Sequence, residues 1–514
     1  MTHSVSGVYG ALVRRQPRST STSGSEPTAS ATGSPPAGRL GRLFQLAERG
    51  TSVGREVRGG LVTFVTMSYI VVLNPLILGS VSPTGPGAKT DALGNVLSVP
   101  QVAAVTALVA GVMTILFGLI ANYPFAIATG LGINTLVAVT IAPLMSWPEA
   151  MGLVVVDGLV IVLLAATGLR TAVFNAVPAD LKAAIAVGIG LFIAFVGLVD
   201  AGFVRRVPDA ADTTVPVQLG ESGSIASWPT AVFVIGLLIT GLLVARGVRA
   251  GILLGVVITT VIAIIVEAIA QVGSSATNPK GWSLAVPTLP DQIMGLPDLS
   301  LVGQFSFGAF TRVDLVTVSL LVFTLVLANF FDAMGTMTGL GRQAGLATPD
   351  GQLPRIGRAL IVEGAGAVAG GMASASSNTV YVESASGIAE GARTGLANLI
   401  TGALFLLAMF FTPLYSIVPI EAAAPALVVV GALMMRQVAD IDFRDITVAI
   451  PAFLTIVVMP FTFSIANGIG AGFISYVVLA AATGRARAVH PLMWIVAVAF
   501  VAYFAVGPLR ALLG

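Results

Sequence analysis

Apolar runs of about twenty residues recur along this chain from Gly60 onward, separated by short polar connections. That is the length an α-helix needs to cross the hydrocarbon layer of a membrane. The pattern predicts spans at 60–80, 101–121, 124–143, 148–168, 180–199, 228–245 and 248–271. After a polar stretch it resumes at 313–340, 357–373, 377–390, 394–413, 420–436, 445–462, 464–483 and 490–511. Two runs are interrupted by small polar residues: Ala128–Thr135 reads ATGLGINT and Ser374–Ser384 reads SASSNTVYVES. Irregular backbone at membrane depth leaves N–H and C=O groups unpaired, at several kcal/mol each by rough estimate, and persists where it lines a cavity or a site. The breaks fall in the third run of each half, which points to a membrane transporter with its site between two repeats.

Composition supports the membrane reading. Of 514 residues, 56% are hydrophobic and 10% charged, against roughly 25% charged in a soluble domain. A formal net charge of +2 gives no reason to expect a nucleic-acid partner. The absence of cysteine excludes disulfides, iron–sulfur clusters and thiolate zinc sites, and two histidines, His3 and His490, leave little for other metal chemistry. No metal or cofactor is therefore expected, beyond a proton as coupling ion. Without H-E-x-x-H, G-x-S-x-G or P-loop patterns, no enzyme is expected either.

Residues 1–50 read as a disordered cytoplasmic tail, with a basic amphipathic segment from Arg39 to Arg58 leading into the first span. The rest divides into a first repeat at 51–272, a polar connection at 273–312 and a second repeat at 313–514. Two inverted repeats require an even total, so fourteen spans, seven plus seven, are expected from the fifteen runs. Half-spans or one bent element should then lie among the last four. Arg170, Lys182, Arg246, Arg249, Arg342, Arg355, Arg358, Arg485 and Arg487 lie in short connections, which puts those connections in the cytoplasm. Residues 82–99 and 209–227 are nearly free of Lys and Arg, apart from Lys89, and read as extracellular. Both termini are then cytoplasmic.

Acids inside spans are costly and mark function by default. Asp332 qualifies, and at helical spacing Asn329, Asp332, Thr336 and Gly339 share one polar face. The competing reading is a helix-packing acid. Glu383 stands beside the second break, where a carboxylate can bind the N–H edge of a planar heterocycle and can take up a proton from the medium. The competing reading is a helix cap. Asn134, in the first break, reads equally well as a ligand and as a cap. Asp157 reads better as a buried hydrogen-bond partner at a domain interface, and Glu363 and Glu390 as interfacial residues near span ends.

These same residues carry a family resemblance. From Thr51 onward the chain resembles the nucleobase:cation symporter-2 family, in its hypoxanthine/guanine/adenine permease branch. The resembling motifs are Arg55-Glu56 with TFVTMSYI at 63–70 and Asn74-Pro75, GLGIN at 130–134, Phe331-Asp332 with Gly335-Thr336, VESASGIAEGARTGL at 382–396, IPAFLT at 450–455, MPFT at 459–462 and SIANG at 464–468. The resemblance implies fourteen spans in two inverted repeats, with spans 1–4 and 8–11 as a core domain and spans 5–7 and 12–14 as a gate. It implies a purine nucleobase importer of the plasma membrane, driven by proton symport with alternating access and paired as a homodimer through the gate. The expected substrate residues are Glu383, Asp332, Asn329, Asn134, Gly132, Thr336 and Ser384, with Glu383 and Asp332 as the proton-coupling groups. The chain departs from the family pattern twice. Asn329 replaces the first acid of Asp-Leu-Phe-Asp, and Thr129 replaces a proline. The alternatives are a same-fold carrier of xanthine, uracil or an inorganic anion and, in a different class, a membrane enzyme or receptor.

Overall fold

The computed structural model describes residues 39–80, 88–207, 217–220, 223–283, 285–289, 292–347, 353–415 and 417–513. The first half contains α1 (Arg39–Leu43), α2 (Val53–Met67), α3 (Ile70–Leu78), α4 (Val99–Ala121), β1 (Ile127–Thr129), α5 (Leu131–Leu136), α6 (Trp147–Ala166), α7 (Leu169–Ala176), α8 (Ala179–Asp200), β2 (Val204–Arg206), β3 (Val217–Leu219), α9 (Trp228–Ala245) and α10 (Gly251–Ala270). The second half contains α11 (Ala309–Arg312), α12 (Leu315–Gln343), α13 (Ile356–Met372), β4 (Asn378–Val380), α14 (Ser384–Ala389), α15 (Leu396–Ala408), α16 (Thr412–Tyr415), α17 (Ile420–Met434), α18 (Ile446–Phe461), α19 (Ile465–Ala482) and α20 (Pro491–Leu513).

Ten helices among the described residues are long and apolar enough to cross a membrane, and three further apolar helical stretches are shorter. The last four runs are four separate helices, and α18, at 16 residues, carries Pro451 and Pro460 inside it. Helix starts follow local chemistry. Asp314 caps α12 by accepting from the Thr317 N–H at 2.9 Å, and Glu149 reaches back to the Ser146 N–H at 3.0 Å at the start of α6.

The helices sort into two packing groups. One gathers α2, α3, α4, α6, α12, α13, α14 and α15; the other gathers α8, α9, α10, α17, α18 and α19. The connection at 273–312 straps both. Its buried Trp282 donates to Glu267 of α10 at 2.8 Å, and the Ser283 N–H donates to Glu421 of α17 at 3.0 Å. On the other group the Ser306 N–H meets the Pro148 carbonyl at 2.8 Å.

Three expectations change here. Residues 1–38 lie outside the described residues, but 39–50, assigned to the tail by composition, are packed: Phe44 and Leu46 are buried with Leu396. Arg49 also donates to the Arg393 carbonyl at 3.0 Å. Arg170 is no loop marker. It is fully buried in α7, bonded to Glu363 at 2.5 Å, and its guanidinium lies 5.5 Å from the centre of the Phe330 ring. Glu363 is likewise fully buried rather than interfacial. Lys89, the exception in a Lys/Arg-poor stretch, pairs with Asp200 at 3.2 Å, joining the first packing group to α8. In the second such stretch lies β3, which pairs antiparallel with β2 just before it.

Candidate functional site

The two breaks meet. β1 and β4 pair antiparallel in the register Ile127↔Val380, Ala128↔Thr379, Thr129↔Asn378. The Gly130 N–H donates to Ser377 O at 2.9 Å and the Tyr381 N–H to Ala126 O at 3.0 Å, while the Thr114 hydroxyl serves both the N–H and the carbonyl of Ile127 at 3.0 Å. Each break thus supplies the backbone partners the other lacks, which removes the cost of unpaired groups at membrane depth. The approach to β4 is tight. Ser374 and Ser376 hold left-handed φ values of 57° and 70°, at roughly 1–3 kcal/mol each. Gly387 lets α14 press on α2, since a Cβ there would lie 2.5 Å from the Gly59 carbonyl oxygen.

Where the strands end, a cavity of about 390 Å³ opens between the packing groups. One wall is Gly130, Leu131, Gly132 and Ile133 from the first break; another is Thr379, Val380, Tyr381, Val382 and Glu383 from the second. α12 contributes Phe331, Asp332, Thr336, Gly339 and Gln343, and the other group contributes Ile189, Ile193, Val430 and Ile465. From Ala328 to Gln343 the cavity follows α12 for about 22 Å at helical rise.

Four of the expected site residues, Glu383, Asp332, Thr336 and Gly132, reach this cavity together. Three do not. Asn329 shares the azimuth of Thr336, and its neighbour Ala328 lines the cavity, but Asn329 itself is fully buried and its Nδ2 is turned to donate to Asp157 at 3.2 Å and Ser377 at 3.1 Å. Asn134 turns away to donate to Asn74 Oδ1 at 2.6 Å, and Asn74 in turn donates to Thr106 at 2.7 Å and to the Ala375 carbonyl at 3.1 Å. The Ser384 hydroxyl accepts from the Ala126 N–H at 3.0 Å. Asp157 is a buried hydrogen-bond partner, though inside the first packing group rather than between the two; Ser377 also donates to it at 3.2 Å.

Glu383 does not cap α14, because its carboxylate makes no capping bond. Instead Oε1 accepts from the hydroxyl of Tyr69, at the joint between α2 and α3. Tyr69, Thr379 and Tyr381 were missed from sequence as cavity residues, since an aromatic or a threonine in an apolar run reads as packing. Thr379 and Tyr381 did carry one local signal, their place inside the second break; Tyr69 carried none. The Tyr381 hydroxyl donates to the Thr129 carbonyl at 2.5 Å, fastening the second break to the first.

The lining carries Asp332, Glu383 and, near the Gln343 end, Asp440; among the described lining residues none is cationic. Such a site attracts N–H donors and protons and repels anions. No group of three or more His, Cys, Asp or Glu able to hold a metal occurs among the described residues.

A helical membrane protein whose two broken elements meet in a cavity between two packing groups has the build of a secondary transporter. The chain belongs to the permease family: the family model Xan_ur_permease, described as "Permease family", matches residues 54–471. It is a membrane transport protein and not an enzyme. It is similar to the guanine/hypoxanthine permease PbuG of Bacillus subtilis (strain 168), 40% identical over 90% of this chain and 98% of that one. It is similar also to the adenine permease AdeP of Escherichia coli (strain K12), 36% identical over 90% of this chain and 95% of that one. Among solved structures it resembles the transmembrane domain of the cyanobacterium bicarbonate transporter BicA, with TM-score 0.56, 15% identity and coverage of 81% of this chain and 96% of that one. SLC26A9 is a second such likeness, with TM-score 0.53, 12% identity and coverage of 83% of this chain and 65% of that one. At these identities the structural likeness concerns the fold alone.

Proposed function

We propose that this protein imports purine nucleobases, of the hypoxanthine/guanine or adenine type, across the plasma membrane. The observation that carries the reading is the pair of carboxylates, Asp332 and Glu383, facing one uncharged-to-acidic cavity of purine-permitting size. A volume of about 390 Å³ lies in the range of small-molecule pockets, about 300–1,000 Å³. Apolar walls suit the faces of a heterocycle, and the carboxylates suit its N–H edges. The named activities of PbuG and AdeP support the same class of cargo.

Glu383 and Asp332 would bind the base and carry the coupling proton, with Thr336 and the Gly132 backbone completing the pocket. Asn329, Asn134 and Ser384 would act from behind, by holding the elements that present it. The two packing groups would be core and gate, built as two inverted sevens and moving against each other in alternating access. The cavity runs toward the end of α12 that Arg342 marks as cytoplasmic, so this arrangement reads as inward-facing. In the apolar stretch of α9 and of α10 only 33% of the residues are buried, which leaves a face for lipid or for a dimer through the gate.

An inorganic-anion cargo, suggested by the fold of BicA, is opposed by the acidic, cation-free lining; xanthine or uracil remains the second reading, since each presents N–H donors as well. Uptake of radiolabelled hypoxanthine, guanine, adenine, xanthine, uracil and bicarbonate into cells lacking their own permeases decides between them. Accumulation of a purine that collapses with the proton gradient is expected. No uptake of any purine would overturn the reading.

A further inference from the structure

The first span is broken near its middle. α2 stops at Met67, α3 restarts at Ile70, and the buried Tyr69 stands at the joint. From that joint the Tyr69 hydroxyl donates to Oε1 of Glu383. The first span therefore holds the side chain of the residue that opens α14. Tyr381, the other tyrosine of the cavity, spends its hydroxyl on the Thr129 carbonyl and leaves the carboxylate alone.

A free carboxylate offers two oxygens and binds two parallel N–H donors in a bidentate pair. Here one oxygen is already engaged by a phenol that lines the same cavity. Resting on the purine reading above, we propose that Tyr69 is a specificity-determining positioning residue. It holds Oε1, spends one of that oxygen's two lone pairs, and so lowers the advantage of a ligand that presents two adjacent N–H groups. The chemistry separates the purines cleanly. Guanine offers two neighbouring donors, the ring N1–H and the 2-amino group. Hypoxanthine offers N1–H alone on that edge. With Tyr69 in place the second donor of guanine has to share Oε1 with the phenol, so the two bases bind nearly alike. Without the hydroxyl, guanine takes both oxygens and hypoxanthine still takes one.

The test is equilibrium competition on the purified full chain, with unlabelled guanine and hypoxanthine displacing radiolabelled hypoxanthine. Wild type should prefer neither base by more than about threefold, below the worth of one hydrogen bond to a charged group. Tyr69→Phe keeps the ring and its packing, and should shift the guanine-to-hypoxanthine affinity ratio toward guanine by about tenfold. Tyr381→Phe, which removes a hydroxyl from the same wall, should leave the ratio where it was. A ratio in Tyr69→Phe within about twofold of wild type, a change well short of one such bond, would overturn the role of Tyr69, even if both affinities fell together. A wild type that already prefers guanine tenfold would do the same without any variant. Wild-type protein that binds neither base would overturn the purine reading itself, and this proposal with it.

Discussion

The two breaks solve one backbone problem and do unlike chemistry. Each closes the other's hydrogen bonds through the β1–β4 pair. The first break then gives the cavity only backbone and apolar side chains, Gly130 to Ile133, and turns its amide, Asn134, inward to Asn74. The second gives it Thr379, Tyr381 and Glu383. What stands behind them differs in the same sense. Neutral side chains, Asn74 and Thr106, back the first. Behind the second lie Asp157, Asn329 and Ser377, and deeper in the same packing group the buried Arg170–Glu363 pair. Matching positions in the two halves thus share a backbone solution while charge gathers on one side.

The largest effect should come from the charged support. Arg170→Leu leaves Glu363 as a buried carboxylate without its partner, and should cost about 3–5 kcal/mol of stability. Denaturant unfolding in detergent measures it, and Arg170→Leu/Glu363→Leu should regain most of the loss. Equal losses in the single and double variants would mean that the pair is not what holds this side. The neutral support should matter less. Asn134→Ala strips the donor from Asn74 Oδ1, costing about 1–3 kcal/mol, while the apparent affinity for purine stays put. A lowered affinity at unchanged stability would put Asn134 back among the ligands and erase the contrast between the breaks. The smallest effect belongs to the shared wall. Thr336→Val should raise KM for uptake by less than about tenfold, the worth of one neutral hydrogen bond, without moving the unfolding midpoint.

Much of this architecture was legible before any coordinates. The span predicted at 228–245 is α9 to the residue, and both breaks sit where small polar residues interrupt apolar runs. What could not be read is how distant segments meet. Three-residue strands such as β1 carry no periodicity, so their pairing was invisible. Asn329 shows the limit of helical spacing, which gives the azimuth of a side chain but not the distant partners, here Asp157 and Ser377, that claim its amide. Arg170 shows the limit of charge counting, because a Lys/Arg bias describes connections on average and one arginine in it is buried against Glu363. Tyr69 sits in an apolar run, and its hydroxyl has a function only because the second break comes to it.

Placing the substrate at the second break is the claim on which the rest depends, and one side-by-side measurement tests it: equilibrium binding of radiolabelled hypoxanthine to purified wild type, Glu383→Gln and Asn134→Ala. The account predicts that Glu383→Gln loses tenfold or more in affinity, about the worth of a hydrogen bond to a charged group, while Asn134→Ala binds as wild type does. Glu383→Gln binding as tightly as wild type, or Asn134→Ala failing to the same degree, would contradict it.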